Sequence, residues 1–228
     1  MGFFFTKVVR NIIFLLLLLN GTQMFLKWKS YNIQAKDFKT FSVKSADSNS
    51  INAVSKFTSE LRRKYSQDID ASLKWVPFSA GGLHLKAQFL YGDLTEYIAV
   101  FTAIGDSTGR SGIHWSNHSC TVLTGEVTRV LDAFSSPVKE TFKQGQNFRH
   151  GQFESFVYIL KDQATVACYG RGFIPASSVW SLSGALSTGD PLAAVKQSYV
   201  YGRLTFDTLT RHGYHYFDYV AKKAKGEL

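Results

Sequence analysis

The chain of 228 residues holds two cysteines, Cys120 and Cys168, and three of its six histidines, His114, His118 and His150, fall between residues 110 and 150. His114, His118 and Cys120 sit at even spacing, so on an extended strand they share one face. Thiolate and imidazole are the usual protein ligands of zinc, and three such groups on one face could begin a metal site, although no standard finger spacing is present. The plainer reading is that both thiols are buried as small apolar groups. No glycine-rich phosphate loop and no nucleic-acid motif accompanies them.

Whatever these side chains do, a large apolar fold must hold them. Hydrophobic residues make up 45% of the chain and aromatic residues 15%, with 19 Phe and 11 Tyr, which excludes a disordered chain. Aromatic content at this level favours strands or an apolar cavity. The formal net charge is +9. The basic residues gather near the two ends, at Lys27, Lys29, Lys36, Lys39 and Lys44 and again at Lys222, Lys223 and Lys225. Next to apolar segments, that placement points to anionic lipid headgroups and away from nucleic acid.

The organisation reads as four parts. Residues 1–29 carry Lys7 and Arg10, the apolar run Ile12 to Leu19, the polar stretch Asn20-Gly21-Thr22-Gln23, and apolar character again from Met24 to Trp28. The run is shorter than the roughly 20 residues of a full span, so a cleaved signal peptide competes with a membrane anchor. No small-x-small cleavage site follows it, which favours the anchor. Residues 30–72 form a linker and an amphipathic helix, Ile51 to Tyr65, with Ile51, Val54, Phe57 or Thr58, Leu61 and Tyr65 as its apolar stripe. Residues 73–175 alternate short strands (Leu85 to Leu90, Tyr97 to Ala103, Phe153 to Leu160, Thr165 to Tyr169) with turns at Gly81-Gly82, Gly92-Asp93, Gly105-Asp106, Gly109 and Gly145. That texture predicts a β-barrel or sandwich. Residues 176–228 turn helical again. Asp190-Pro191 reads as an N-cap followed by proline at the first helical position.

An ordered series of motifs then resembles one family. It runs through Glu60-Leu61-Arg62-Arg63, Leu73-Lys74-Trp75-Val76, Ala80-Gly81-Gly82, Leu94-Thr95-Glu96-Tyr97 with Phe101, and Gly109-Arg110-Ser111-Gly112 with Trp115. It ends in Tyr169-Gly170-Arg171-Gly172-Phe173-Ile174-Pro175 and Ser187-Thr188-Gly189-Asp190. From about residue 55 to 205 the chain is similar to the sigma-1 receptor and the fungal sterol C-8 isomerases. The resemblance implies a mainly β fold with flanking helices. It comprises a cupin-like barrel, an N-terminal membrane helix and two C-terminal membrane-facing helices. It further implies residence in the endoplasmic reticulum membrane, contact with membrane lipids, a homotrimer, and a barrel pocket for a sterol or other lipophilic small molecule. The family's pocket positions fall on Phe89, Tyr97, Phe101, Ser111, His114, His118, Cys120, His150, Tyr158, Leu160 and Cys168. Nucleic acid is not an expected partner, and neither a cofactor nor a resident metal is expected.

One departure bears on chemistry. Shifting a ring double bond needs an acid and a base, and in the isomerases two barrel carboxylates are thought to fill those roles. In the sigma-1 receptor the same pair holds the ligand's ammonium. The matching positions here are Cys120 and Cys168. Glu126 and Glu154 are near in sequence, but neither occupies a family acid position. A thiol is a poor acid-base group at neutral pH unless its pKa is strongly shifted. Because the family places these side chains in contact, the resemblance adds a third reading of the cysteines, a disulfide, which needs Cα atoms about 4.4–6.8 Å apart. The expected function is a sigma-1-receptor-like binding protein without isomerase activity. An isomerase with displaced acids and a metal-binding cupin are the alternatives, and a barrel serving only as an assembly scaffold is a third. Lys225-Gly226-Glu227-Leu228 loosely resembles a lumenal retrieval tail but lacks the usual Asp.

Overall fold

The computed structural model describes residues 2–70, 72, 74–131 and 138–225. The expected start of the barrel at Leu73 and the tail residues Gly226, Glu227 and Leu228 lie outside the described residues. The chain divides into two compact units, Met1–Asn32 and Ile33–Leu228.

The first unit is helix α1, Gly2–Trp28. The polar stretch after Leu19, read from sequence as the end of the apolar run, does not interrupt it. Asn20 Nδ2 donates to Leu16 O and Thr22 Oγ1 to Leu18 O, both at 2.8 Å. Side-chain donors turned onto the carbonyl one turn back lower the cost of carrying these polar groups on the apolar surface, so the helix continues. Its segment Lys7–Trp28, 22 residues, is long and apolar enough to cross a membrane. At 1.5 Å per residue that is about 33 Å, against a hydrocarbon core of about 30 Å.

The second unit opens with two helices, α2 (Ala35–Lys44) and α3 (Ser50–Lys64). Asn49 caps α3 by accepting from Ile51 N at 2.9 Å and Asn52 N at 3.2 Å. The buried stripe of α3 is Ala53, Phe57 and Leu61, while Ile51, expected to face inward, is 79% exposed. The side chain counted there was the wrong one in its turn: Ala53 lets the helix approach closely and leaves Ile51 outside. Helix α2 was not expected. It carries few apolar residues and buries only Phe38 and Ser42, one turn apart.

Eight antiparallel strands follow: β1 (Val76–Ala80), β2 (Leu83–Gly92), β3 (Glu96–Ala103), β4 (Ser107–Arg110), β5 (Ser116–Leu131), β6 (Lys139–Lys143), β7 (Asn147–His150) and β8 (Phe156–Gly172). The order is β1-β2-β3-β8-β5-β6, with β4 also on β8 and β7 also on β5. β5 and β8 pair from Ser116↔Gly172 to Leu131↔Phe156. Each therefore carries two shorter partners on its far edge, which rolls the sheet around an interior.

Two strand expectations are corrected. The runs Phe153 to Leu160 and Thr165 to Tyr169 belong to a single strand, β8, which starts at Phe156. The polar Lys161-Asp162-Gln163 between them reads as a break, and Asp162 and Gln163 do take positive φ (55° and 51°). The strand stays paired with β5 on both sides of that kink. Gly109 lies inside β4 and not in a turn. A Cβ there would come 2.5 Å from Gly81 O, so the glycine serves a close backbone approach.

Period-two alternation splits the core into two clusters. Ile98 and Val100 of β3 and Ala167 and Tyr169 of β8 face outward, where they pack under Phe38, Phe57 and Leu61 of α2 and α3. Phe38 meets Phe57 edge-on at 5.7 Å and Tyr169 at 5.5 Å. Fully buried Glu96 belongs to this outer layer. Its carboxylate lies 3.4 Å from Ile33 N and 2.8 Å from the Tyr169 hydroxyl, which accepts from Arg171 Nε at 2.8 Å. The opposite parity, including Phe101, Tyr158, Leu160, Val166, Cys120 and Cys168, points inside.

Helices α4 (Ile174–Ser187) and α5 (Pro191–Ala224) complete the unit. Asp190 caps α5 by accepting from Ala193 N at 2.9 Å, and Pro191 follows it. The face of α5 turned to the protein is modest: Ala193, Ala194, Gln197, Val200, Leu204 and Thr208. Its large apolar residues, Leu192, Val195, Tyr199, Phe206, Leu209, Tyr214 and Phe217, are exposed. A soluble helix shows the reverse arrangement.

Candidate functional site

The barrel interior holds a cavity of about 380 Å³, within the size range of small-molecule sites. All eleven residues named from the sequence line it: Phe89, Tyr97 and Phe101 from β2 and β3, Ser111 and His114 from the β4–β5 loop, His118 and Cys120 from β5, His150 from β7, and Tyr158, Leu160 and Cys168 from β8. Tyr97 can lie flat there because its partner across the ladder is Gly170, where a Cβ would be 2.2 Å from the tyrosine ring. Among the described residues no Asp, Glu, Lys or Arg lines the cavity.

Helices α4 and α5 supply walls that strand counting missed. Trp180 of α4 stands 5.8 Å from Phe78 and 5.2 Å from His114. Gln197 Nε2 of α5 donates to Pro77 O at 2.9 Å, and the Tyr201 hydroxyl donates to Asp93 O. Gln197 stands among Ala193, Ala194, Val200 and Leu204 on the buried stripe. A lone amide on an apolar stripe was the signal available in the sequence.

The two cysteines are directly opposed in the ladder, Cys120↔Cys168. A disulfide joins them, with Cα atoms 4.1 Å apart, just under the usual range because the residues face each other in one rung. The sulfurs bind each other, so neither is a metal ligand or a thiol acid. Among the described residues no group of three or more His, Cys, Asp or Glu is arranged to hold a metal ion. Glu154, near in sequence to His150, uses its carboxylate on Gly151 N at 2.6 Å and offers only its backbone oxygen to His150.

His114, expected on one strand face with His118 and Cys120, lies two residues before β5. Its ring nevertheless reaches the same place. His114, His118 and His150 form a triangle with centroids 5.1, 5.4 and 5.9 Å apart. His114 Nε2 lies 2.6 Å from Ser111 O, His150 Nε2 lies 2.9 Å from Glu154 O, and His118 Nε2 lies 2.6 Å from Ser116 Oγ. Burial lowers all three pKa values, that of His114 to about 4, and the neighbouring imidazoles lower His118 further. At neutral pH the three rings are uncharged. Burial likewise raises the hydroxyls of Tyr97 and Tyr158 above the ordinary tyrosine value. The cavity is therefore neutral throughout, able to enclose an apolar molecule and to hydrogen-bond its polar group, and lacking a fixed charge.

The family model described as "ERG2 and Sigma1 receptor like protein" matches residues 8–212. The chain is 33% identical over 162 residues to the sigma non-opioid intracellular receptor 1 of Xenopus tropicalis, covering 69% of this chain and 72% of that one. It is 29% identical over 177 residues to the chicken (Gallus gallus) protein of the same name, covering 76% and 79%. To the C-8 sterol isomerase ERG2 of Gibberella zeae it is 26% identical over 132 residues, covering 57% of this chain and 54% of that one. Among solved structures, an RmlC-like cupin from Shewanella frigidimarina is similar with a TM-score of 0.38 and 13% identity, covering 47% of this chain and 94% of that one.

Proposed function

The chain belongs to the ERG2 and sigma-1 receptor like family, and from that premise we propose that it is a membrane-anchored binding protein for a neutral sterol or similar lipophilic molecule, without isomerase activity. One observation carries the reading: an apolar cavity whose two family acid positions are joined as a cystine. Double-bond migration needs a proton donor on one side and an acceptor on the other. A disulfide is neither, and burial lowers the pKa of the three imidazoles, which leaves them weak bases that carry no proton to donate as imidazolium at neutral pH. The relatives named as intracellular receptors, the apolar helix α1 and the outward apolar face of α5 support the endoplasmic reticulum membrane as its location. A homotrimer is part of the same proposal.

The test is extraction of the protein, purified in mild detergent, with mass spectrometry of what is released. A stoichiometric neutral lipid supports the reading. An empty barrel favours the scaffold alternative, and rescue of an isomerase-deficient yeast by the chain would establish an enzyme instead.

A further inference from the structure

Among the described residues, two cavity-lining residues each keep a buried side-chain atom without a hydrogen-bond partner: His114 at Nδ1 and Gln197 at Oε1. Both are acceptors. His114 Nε2 faces the Ser111 carbonyl, which can only accept, so Nε2 carries the proton and Nδ1 presents a lone pair. The Gln197 amide nitrogen donates to Pro77 O, which leaves its oxygen unpaired. Two hydroxyl donors among the lining residues are already committed: Ser178 Oγ to Pro175 O and Ser181 Oγ to Ser178 O, both on α4. An unpaired acceptor in an apolar wall is unfavourable until a donor reaches it.

We propose that the cavity selects a neutral apolar alcohol, and that His114 Nδ1 is the acceptor that distinguishes its hydroxyl from a carbonyl or ether at the same place. This rests on the lipophilic-ligand reading above and adds the polar end of the ligand. His114 is assigned ahead of Gln197 because its ring is anchored at Nε2 and packed between His118 at 5.1 Å and Trp180 at 5.2 Å, so its lone pair keeps one direction. Burial keeps that ring unprotonated, hence an acceptor, throughout the neutral range. A ketone brings a second acceptor against the lone pair and leaves both unpaired.

The experiment compares radiolabelled cholestanol with cholestan-3-one, which differ only at C3 (a hydroxyl against a ketone), on the full chain in detergent. The wild type is expected to prefer the alcohol about tenfold, the worth of one neutral hydrogen bond. His114→Phe is expected to abolish the preference, and a circular dichroism spectrum matching the wild type shows that the variant folds. His114→Asn restores an acceptor near the position of Nδ1 and is expected to recover part of the preference. Equal affinity in the wild type overturns the inference and leaves the lipophilic-ligand reading standing. Binding of neither compound overturns both. Loss of the preference in Gln197→Met but not in His114→Phe overturns the assignment to His114, as does stoichiometric zinc held by the three imidazoles.

Discussion

Cys120 and Cys168 occupy one rung of the β5–β8 ladder and are covalently joined, with their Cα atoms 4.1 Å apart. The resemblance to the family implies two interacting carboxylates at these positions. Side chains that must approach each other in one chemistry are already placed to bond in another. The substitution of both acids thus keeps the contact and removes the charge.

The crosslink closes a loop of 49 residues counting both cysteines, from a separation of 48. On the chain-entropy account it contributes about 4 kcal/mol. Cys120→Ser with Cys168→Ser is expected to lower unfolding stability by up to that amount in urea titration. Alkylation of the unreduced, unfolded protein should label no cysteine; two labelled thiols would reject the bond.

Cationic amines should bind poorly, because an ammonium entering this cavity finds no carboxylate among the described lining residues. Desolvating a charge without a partner costs several kcal/mol. Restoring Cys120→Asp and Cys168→Glu together should tighten amine binding at least ~100-fold while changing neutral ligands little. Tight amine binding by the wild type would refute this.

The three imidazoles give a pH dependence of known sign. His114, His118 and His150 all have folded-state pKa values below the unfolded value of 6.5. The unfolded chain therefore takes up protons first as pH falls, and stability rises with pH in that range. The loss begins near pH 6.5 and, for His114, is complete near its lowered value of about 4, a change of roughly 3 kcal/mol. The lowered carboxylates Asp37, Asp47 and Glu60 act in the same direction but below their ordinary values, 3.8 for the aspartates and 4.5 for the glutamate. Urea midpoints between pH 7 and 5 therefore isolate the imidazoles, and His114→Phe should flatten that slope.

Deleting residues 1–32 removes α1 and should release part of the protein from membranes. Residual binding is expected through α5, whose Leu192, Val195, Tyr199, Phe206 and Phe217 are exposed. Flotation with liposomes measures it. A truncated chain that stays fully soluble without detergent would show that this face is not lipid-bound.

The strands were largely legible because alternation is local, whereas the pocket was legible only through the resemblance to the family. Parity puts Tyr97 with Phe101 and Tyr158 with Leu160 on one face each, but it does not say which face is inward. What was hidden depends on contacts far along the chain. Helix α2 lacks an apolar stripe and forms because Phe38 meets Phe57 and Tyr169, and Ser42 meets Thr121 at 2.7 Å. Trp180 and Gln197 became pocket walls only once α4 and α5 folded over β1 and β2. His114 was found for a partly mistaken reason, since a loop and not a strand brings it inward. The kink in β8 misled because Asp162 and Gln163 carry turn-like backbone angles inside a strand that the ladder with β5 holds together.

The cystine also changes what a cut in the backbone means. Everything from Thr121 to Ala167, including β6 and β7, hangs between the two bonded residues. A protease that nicks this stretch once breaks the chain but separates nothing: the N-terminal piece carries Cys120, the C-terminal piece carries Cys168, and the sulfurs hold them together. The nicked molecule runs as one band on a gel without reductant and as two with it. Two separately expressed fragments that meet at such a site would, after oxidation, form a permanently joined protein.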